Sequence, residues 1–157
     1  MEDINVLLNL NKNGKVTKYV GFPNGINTNF EKEKKTIEKH YNNLNGNGGI
    51  MLCFFKNSNI CIGYLKCGDI NEDGYDKIDY KFSPEYWGKG YGYELVSGMI
   101  KYLYEVVKVE TGIETSLNVL NIASIKVSEK CGLKLIEKET MNEYILMRMN
   151  KKDYVNN

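Results

Sequence analysis

The chain has 157 residues, of which 42% are hydrophobic, a length and composition that suit one compact domain, residues 1–157, with a core that needs no staples. Basic residues number 21 against 20 acidic ones, so no overall field draws nucleic acid or an anionic membrane, and the expected partner is small or local. No apolar run approaches the ~18 residues needed to cross a bilayer, and Met1-Glu-Asp-Ile4 carries no basic leader, which makes a soluble, cytoplasmic protein the expectation.

Residues 1–20 allow two readings. Ile4, Leu7 and Leu8 fit the start of a helix, whereas Asn13-Gly14 between 6–8 and 16–20 fits a hairpin turn; the helix is the preferred reading. Thr28-Asn-Phe-Glu31 has the spacing of a capping box, and Phe30, Ile37, Tyr41 and Leu44 then share a helical face of about four turns up to the Asn/Gly-rich turn 45–49. Lys32, Lys34, Lys35 and Lys39 interleave with glutamates on that helix, which reads as a solvated face. His40 is the one histidine, so neither a histidine triad nor a multi-histidine metal site can be assembled, and it reads as a surface residue.

A meander of three antiparallel strands follows: 50–55, 60–66, and one in which Ile78, Tyr80 and Phe82 alternate with Asp79 and Lys81. Turns at Asn57-Ser-Asn59 and Asp73-Gly74 separate them, and Pro84 stops the last ladder by removing a donor. Cys53, Cys61, Cys67 and Cys131 stand at irregular intervals without a CxxC pair, so they read as reduced core thiols, and no metal is expected.

The segment from Ile78 to Leu95 then runs this strand through Trp87-Gly-Lys-Gly-Tyr-Gly92 into a helix. Gly88, Gly90 and Gly92 lack a Cβ, so the backbone can curl with its N–H groups inward, and the following helix adds unpaired N–H groups and partial positive charge. That layout builds an anion site fit for a diphosphate. Leu95, Met99, Tyr102, Leu103 and Val106 repeat at helical spacing, and Gly112 sits where the chain leaves the helix for a strand at 113–119. A helix from about Ser124 to Cys131 and strands at 133–138 and 143–149 complete an α/β arrangement, a mixed sheet flanked by helices.

Asn121 opens that short helix and Gly132 closes it. Together the two segments resemble the GNAT superfamily of N-acetyltransferases. The first signature of that family, Arg/Gln-x-x-Gly-x-Gly/Ala, falls on Trp87, Gly88, Lys89, Gly90, Tyr91 and Gly92; the second is similar to Asn121, Ser124, Glu129, Lys130, Gly132 and Leu133. Tyr86-Trp-Gly-Lys-Gly-Tyr91 followed by Glu94 looks like the RimJ/RimL branch, Ile62-Gly63 matches the Ile-Gly of the family's third strand, and 144–154 resembles its last strand and tail.

The resemblance implies a central, mostly antiparallel mixed sheet of roughly six or seven strands with about four flanking helices, and acetyl-CoA as cosubstrate. The amides of Gly88, Lys89, Gly90, Tyr91, Gly92 and Tyr93 would hold the pyrophosphate, while Phe82 and Ser83 on a splayed strand would pair with the pantetheine amides. A primary amine, on a protein N-terminus or a small molecule, would attack the thioester directly, with the Phe82 N–H polarising its carbonyl. Cys131 would then not be a nucleophile. Asn121 would bond the pantetheine arm or serve only as a helix cap, and Ser124 would donate a proton to the departing thiolate or serve only as a helix-start hydroxyl.

Several positions depart from the family pattern. The tyrosine that many members use as general acid is replaced by Ser128, and position 77, commonly glutamate in the RimJ/RimL branch, is Lys77. Asp79 is the remaining candidate base, with an exposed strand residue as the alternative. Trp87 replaces the signature's Arg or Gln; its ring is expected beneath the loop, leaving phosphate to the amides and Lys89, with Glu94 fixing the loop. The family's first strand has no evident counterpart unless residues 5–10 form it, and a second copy of the chain, as a homodimer, would be one cover for the exposed edge. A non-catalytic acyl-CoA-binding module is the competing function. A dinucleotide-binding reading fails on position, since that fingerprint belongs to a first βαβ unit rather than behind three strands.

Overall fold

The computed structural model describes residues 2–20, 31, 34–35, 49–139 and 143–155. Glu31, Lys34 and Lys35 are helical; the capping box at 28–30, the rest of the apolar face it was expected to open, His40 and the turn at 45–48 lie outside the described residues. Two compact units share the chain, one made of Met1–Gly68 and Asp79–Gly88, the other of Asp69–Ile78 and Lys89–Asn157. A six-stranded mixed sheet has the order β1-β2-β3-β4-β6-β5, with helices flanking it.

The first unit opens with α1 (Glu2–Lys12) and a single turn, α2 (Gly14–Thr17). The helical reading of the N-terminus therefore holds, and the hairpin does not. A two-residue I′ hairpin needs positive φ at both central residues, but Asn13 sits at φ −77° and uses its side chain to cap α2, accepting from Lys15 N at 3.0 Å. Residues 5–10 are likewise helical and supply no first strand.

Leu7, Leu8 and Leu10 of α1 form a buried cluster with Ile50 of β1 (Gly49–Phe54) and Tyr64 of β2 (Cys61–Ile70). Asn11 is also buried, and its Oδ1 accepts from Tyr64 Oη at 3.0 Å and from Lys81 Nζ at 2.7 Å, so the polar group costs little inside the cluster. β1 and β2 pair antiparallel from Gly49↔Cys67 to Phe54↔Cys61.

β3 (Tyr75–Phe82) runs from the second unit into the first. Its end lies so close to β2 that a Cβ on Gly63 would stand 2.2 Å from the Lys81 carbonyl oxygen and 2.6 Å from Phe82 Cδ1. The Ile-Gly of the sequence is thus a steric requirement of this strand crossing.

In the second unit β3 pairs parallel with β4 (Gly112–Asn118) through Tyr75↔Gly112, Asp76↔Ile113 and Lys77↔Glu114, and that register ends there. A parallel pair needs a helical crossover, and α3 (Tyr91–Tyr102) provides it. β4 also pairs antiparallel with β6 (Tyr144–Asn150), and β6 with β5 (Lys134–Glu139). Arg148 of β6 locks this corner: Nε donates to Glu114 and Nη2 to Asp73, each at 3.0 Å, with the guanidinium 4.1 Å from the Tyr75 ring centroid. α5 (Lys151–Val155) closes the described chain.

The helix face departs from the expected one. Val96, Met99, Ile100 and Leu103 are buried, but Tyr102 and Val106 are exposed. A π-helical turn at Leu103–Val107 widens the spiral and turns Tyr104 inward, where its hydroxyl donates to the Met149 carbonyl at 2.9 Å. The chain leaves the helix at Lys108, in the left-handed region at φ 66°, rather than at Gly112. Gly112 is already in β4, where a Cβ would meet the Met149 carbonyl oxygen at 2.4 Å.

Gly63→Ala tests the strand crossing. The added methyl cannot be placed without moving backbone, so we expect a loss of about 1–3 kcal/mol in chemical denaturation; a stability equal to that of the parent would contradict the close approach.

Candidate active site

In the first unit the site residues lie on one continuous stretch from Asp79 to Gly88. Phe82 is buried and ends β3; the Ser83 N–H still donates to the Ile62 carbonyl on β2 at 2.9 Å. Neighbouring N–H groups of a strand point to opposite edges, so the Phe82 N–H faces away from β2. Asp79 is half-buried and projects from the same strand face as Lys81, which reaches Asn11 of α1.

A 3₁₀ turn at Pro84–Tyr86 then reverses the chain, with Pro84 at its first position and Trp87 N donating to the Pro84 carbonyl at 3.2 Å. The Tyr86 ring meets Phe55 edge-on at 5.3 Å. Trp87 does not pack its ring beneath the loop as expected. Its side chain is 48% exposed, and Nε1 donates to the Phe82 carbonyl at 2.8 Å.

Gly88 and Gly90 are both left-handed, at φ 72° and 88°, a conformation that disfavours any side chain. A Cβ on either would meet nothing within 4 Å, so the backbone there borders open space. In the second unit Gly90 is the N-cap of α3. Its carbonyl accepts the first helical bond, from Glu94 N at 3.1 Å, and as a glycine it brings no side-chain cap to the first turn. Glu94 is exposed in the first turn, where a carboxylate complements the helix dipole, and no bond from that carboxylate to the loop is seen among the described residues.

The other motif forms α4 (Ile122–Lys130). Asn121 caps it, its Oδ1 accepting from Ser124 N at 3.3 Å, which leaves the amide Nδ2 as its remaining donor. Ser124 is half-buried on the first turn, whereas Ser128 is buried. Gly132, at φ 92°, closes the helix as its N–H donates to the Glu129 carbonyl at 2.9 Å and Leu133 N donates to that of Ser128 at 3.0 Å.

It is the far end of α4 that meets the first turn of α3. Lys130 Nζ stands 4.1 Å from the Tyr93 ring centroid, and Cys131 Sγ lies 3.9 Å from the Tyr93 carbonyl. Asn121 and Ser124 begin the same helix, about 13 Å and about 9 Å away along its axis. The bracing of Tyr93 was not read from the sequence, although Lys130 and Cys131 lie inside the second motif; cation–π geometry has no sequence period to reveal it.

Of the four cysteines only Cys67 is buried; Cys53, Cys61 and Cys131 are half-buried and all are free thiols. Burial pushes the Cys131 thiol up, against the opposing influence of the Lys130 charge, and burial with the nearby Cys61 raises Cys53 to about 12. Neither is poised as a thiolate near neutral pH. Among the described residues no group of three His, Cys, Asp or Glu side chains could hold a metal ion, and no helix is long and apolar enough to cross a membrane.

Two left-handed glycines bordering open space, the second of them the N-cap of a helix, fit the diphosphate of a nucleotide cofactor. The sequence profile of the Acetyltransferase (GNAT) domain matches residues 1–134. The chain belongs to the GNAT acetyltransferase family. It is accordingly an acetyl-CoA-dependent N-acyltransferase, with acetyl-CoA as cosubstrate.

Solved structures show the same fold at low identity. A spermidine N-acetyltransferase from Vibrio cholerae, in complex with CoA and spermine, is 19% identical with a TM-score of 0.78, covering 99% of this chain and 94% of that one. A GNAT-family acetyltransferase from Bacillus anthracis is 20% identical with a TM-score of 0.75, covering 96% and 90%. An aminoglycoside acetyltransferase in complex with coenzyme A is 17% identical with a TM-score of 0.76, covering 99% and 93%. A comparison with curated proteins finds no significant match.

Cys131→Ser separates bracing from covalent catalysis. With a raised thiol held at Tyr93, the variant should keep kcat within about twofold in a thiol-release assay, since covalent catalysis requires an activated thiolate; a collapse of kcat with unchanged melting would make Cys131 a nucleophile.

Proposed function

We propose that the chain transfers the acetyl group of acetyl-CoA to a primary amine, on a protein N-terminus or a small molecule, by direct attack in a ternary complex formed within one acetyltransferase domain of the RimJ/RimL type. The observation that carries this reading is the pair of left-handed glycines, Gly88 and Gly90, that border open space, the second of them opening α3 as its cap. The amides of residues 88–93 hold the pyrophosphate, and the end of β3 at Phe82 and Ser83 pairs with the pantetheine arm. The start of α4, about 13 Å along from the Tyr93 contact, suits the reactive end of such an extended ligand.

In this reading the Phe82 N–H, facing away from β2, donates to the thioester carbonyl as negative charge develops there. Asn121 Nδ2 bonds the arm while Oδ1 keeps its capping role, so the two functions considered for this residue are compatible. Ser124 is the donor to the departing thiolate; Ser128 is too buried to reach it. Asp79 takes the ammonium proton, directly or through water, before the amine attacks.

Release of CoA thiol, measured with a panel of spermidine, an aminoglycoside and a short peptide with a free N-terminus, tests the reading. Thiol release that depends on one of these amines is expected. Tight acetyl-CoA binding with no amine-dependent thiol from any of them would overturn transfer to this class of acceptor. Ser124→Ala should lower kcat about 10²-fold while the KM for acetyl-CoA changes less than about threefold. A parallel rise in KM at unchanged kcat would instead make Ser124 a binding residue.

A further inference from the structure

The peptide unit joining Phe82 to Ser83 is held from both edges. Its N–H donates to Ile62 on β2 at 2.9 Å, and in a planar trans unit the carbonyl points the opposite way, so the Phe82 oxygen faces away from β2. There a side chain rather than a strand satisfies it, the Trp87 indole N–H at 2.8 Å. The 3₁₀ turn makes this possible by folding the chain back over its own strand end, Tyr86 N donating to the Ser83 carbonyl at 3.0 Å.

The Phe82 N–H and C=O therefore share one edge, which is the pairing pattern for a secondary amide lying alongside. The pantetheine arm of acetyl-CoA is a chain of such amides, and an amide N–H along this edge would approach the oxygen to which the indole donates. We infer that Trp87 is a placeholder for the cofactor arm: its indole N–H satisfies the Phe82 carbonyl, and a pantetheine amide N–H displaces it on binding. The inference rests on the reading that pantetheine pairs with the end of β3.

Two consequences follow from the exchange. One N–H···O bond replaces another, so the carbonyl is not left buried without a donor. The indole bond also competes with the ligand, lowering its affinity, and this competition is confined to ligands that carry the arm.

The sequence contains one tryptophan, so a ¹⁵N spectrum of the full chain has one indole N–H signal that reports this bond alone. Acetyl-CoA and, separately, adenosine 3′-phosphate 5′-diphosphate, which has the nucleotide but no arm, are titrated while calorimetry follows binding. Saturating acetyl-CoA should move the indole signal toward that of a water-exposed indole and speed its solvent exchange at least tenfold, and the nucleotide should leave both unchanged. Trp87→Phe should bind acetyl-CoA about threefold to tenfold more tightly, with its affinity for the nucleotide unaltered.

An indole signal that stays protected in the saturated acetyl-CoA complex overturns the placeholder, as does a Trp87→Phe chain that binds acetyl-CoA more weakly. If that variant fails to fold, the parent spectrum decides. Absence of any calorimetric signal with acetyl-CoA would remove the cofactor reading itself, and the placeholder with it.

Discussion

The start of α3 without a side-chain cap is the constraint around which the rest of the site is organised. A helix leaves its first N–H groups unsatisfied, and most helices answer this with Ser, Thr, Asp or Asn at the cap. Here the cap is Gly90 in the left-handed region, which can offer no side-chain acceptor. A glycine cap favours an anion, because helix-start amides and the helix dipole act together at one point. A polar side chain at Gly90 would be strained and would also stand in the open space beside the loop.

The strand end and the helix start are each held within their own unit, by different interactions. At the strand end, Gly63 admits the backbone of β3, and the Ser83 bond to Ile62 keeps it extended past the last residue of the strand. On the helix side, Tyr93 is braced by Lys130 and Cys131, so the first turn of α3 depends on the last turn of α4. Glu114 and Asp73 around Arg148 fix the start of β3 against β4 and β6, the Glu114 carboxylate from a buried position and that of Asp73 from an exposed one.

Much of this was legible in the sequence because it is carried by local rules. Alternation at Ile78, Tyr80 and Phe82, the glycines after Trp87, and Asn121 with Gly132 each specify a backbone state within a few residues. The helix at residues 2–12 could be preferred but not decided, since Asn13-Gly14 is as good a hairpin signal as a capping one; the negative φ of Asn13 settles it. What stayed hidden is non-local. The π-turn at Leu103–Val107 shifts the phase of the buried face, and a pattern search at fixed helical period then assigns Tyr102 and Val106 wrongly. Trp87 stood out as a departure from the GNAT signature, but that its indole would reach back five residues to a carbonyl depends on the 3₁₀ turn, for which Pro84 was only a stop signal.

The substitution of Ser128 for the usual tyrosine bears on how strong an acid the proposed reaction needs. A thiol has a pKa of about 8.5, so the leaving thiolate is stable near neutral pH and needs little proton transfer at the moment of bond cleavage. An aliphatic hydroxyl is a far weaker acid than the thiol it would protonate, so Ser124 would be of use as a hydrogen-bond donor to developing negative charge and not as a full proton source. Water would complete the protonation after departure. Deprotonation of the acceptor is then the harder step, because an ordinary alkyl ammonium holds its proton near a pKa of about 10 and cannot attack while it does so. In the proposed reaction the rate should accordingly follow the fraction of free amine more closely than any acid on the enzyme, and the chemical demand would fall on the base, for which Asp79 is proposed.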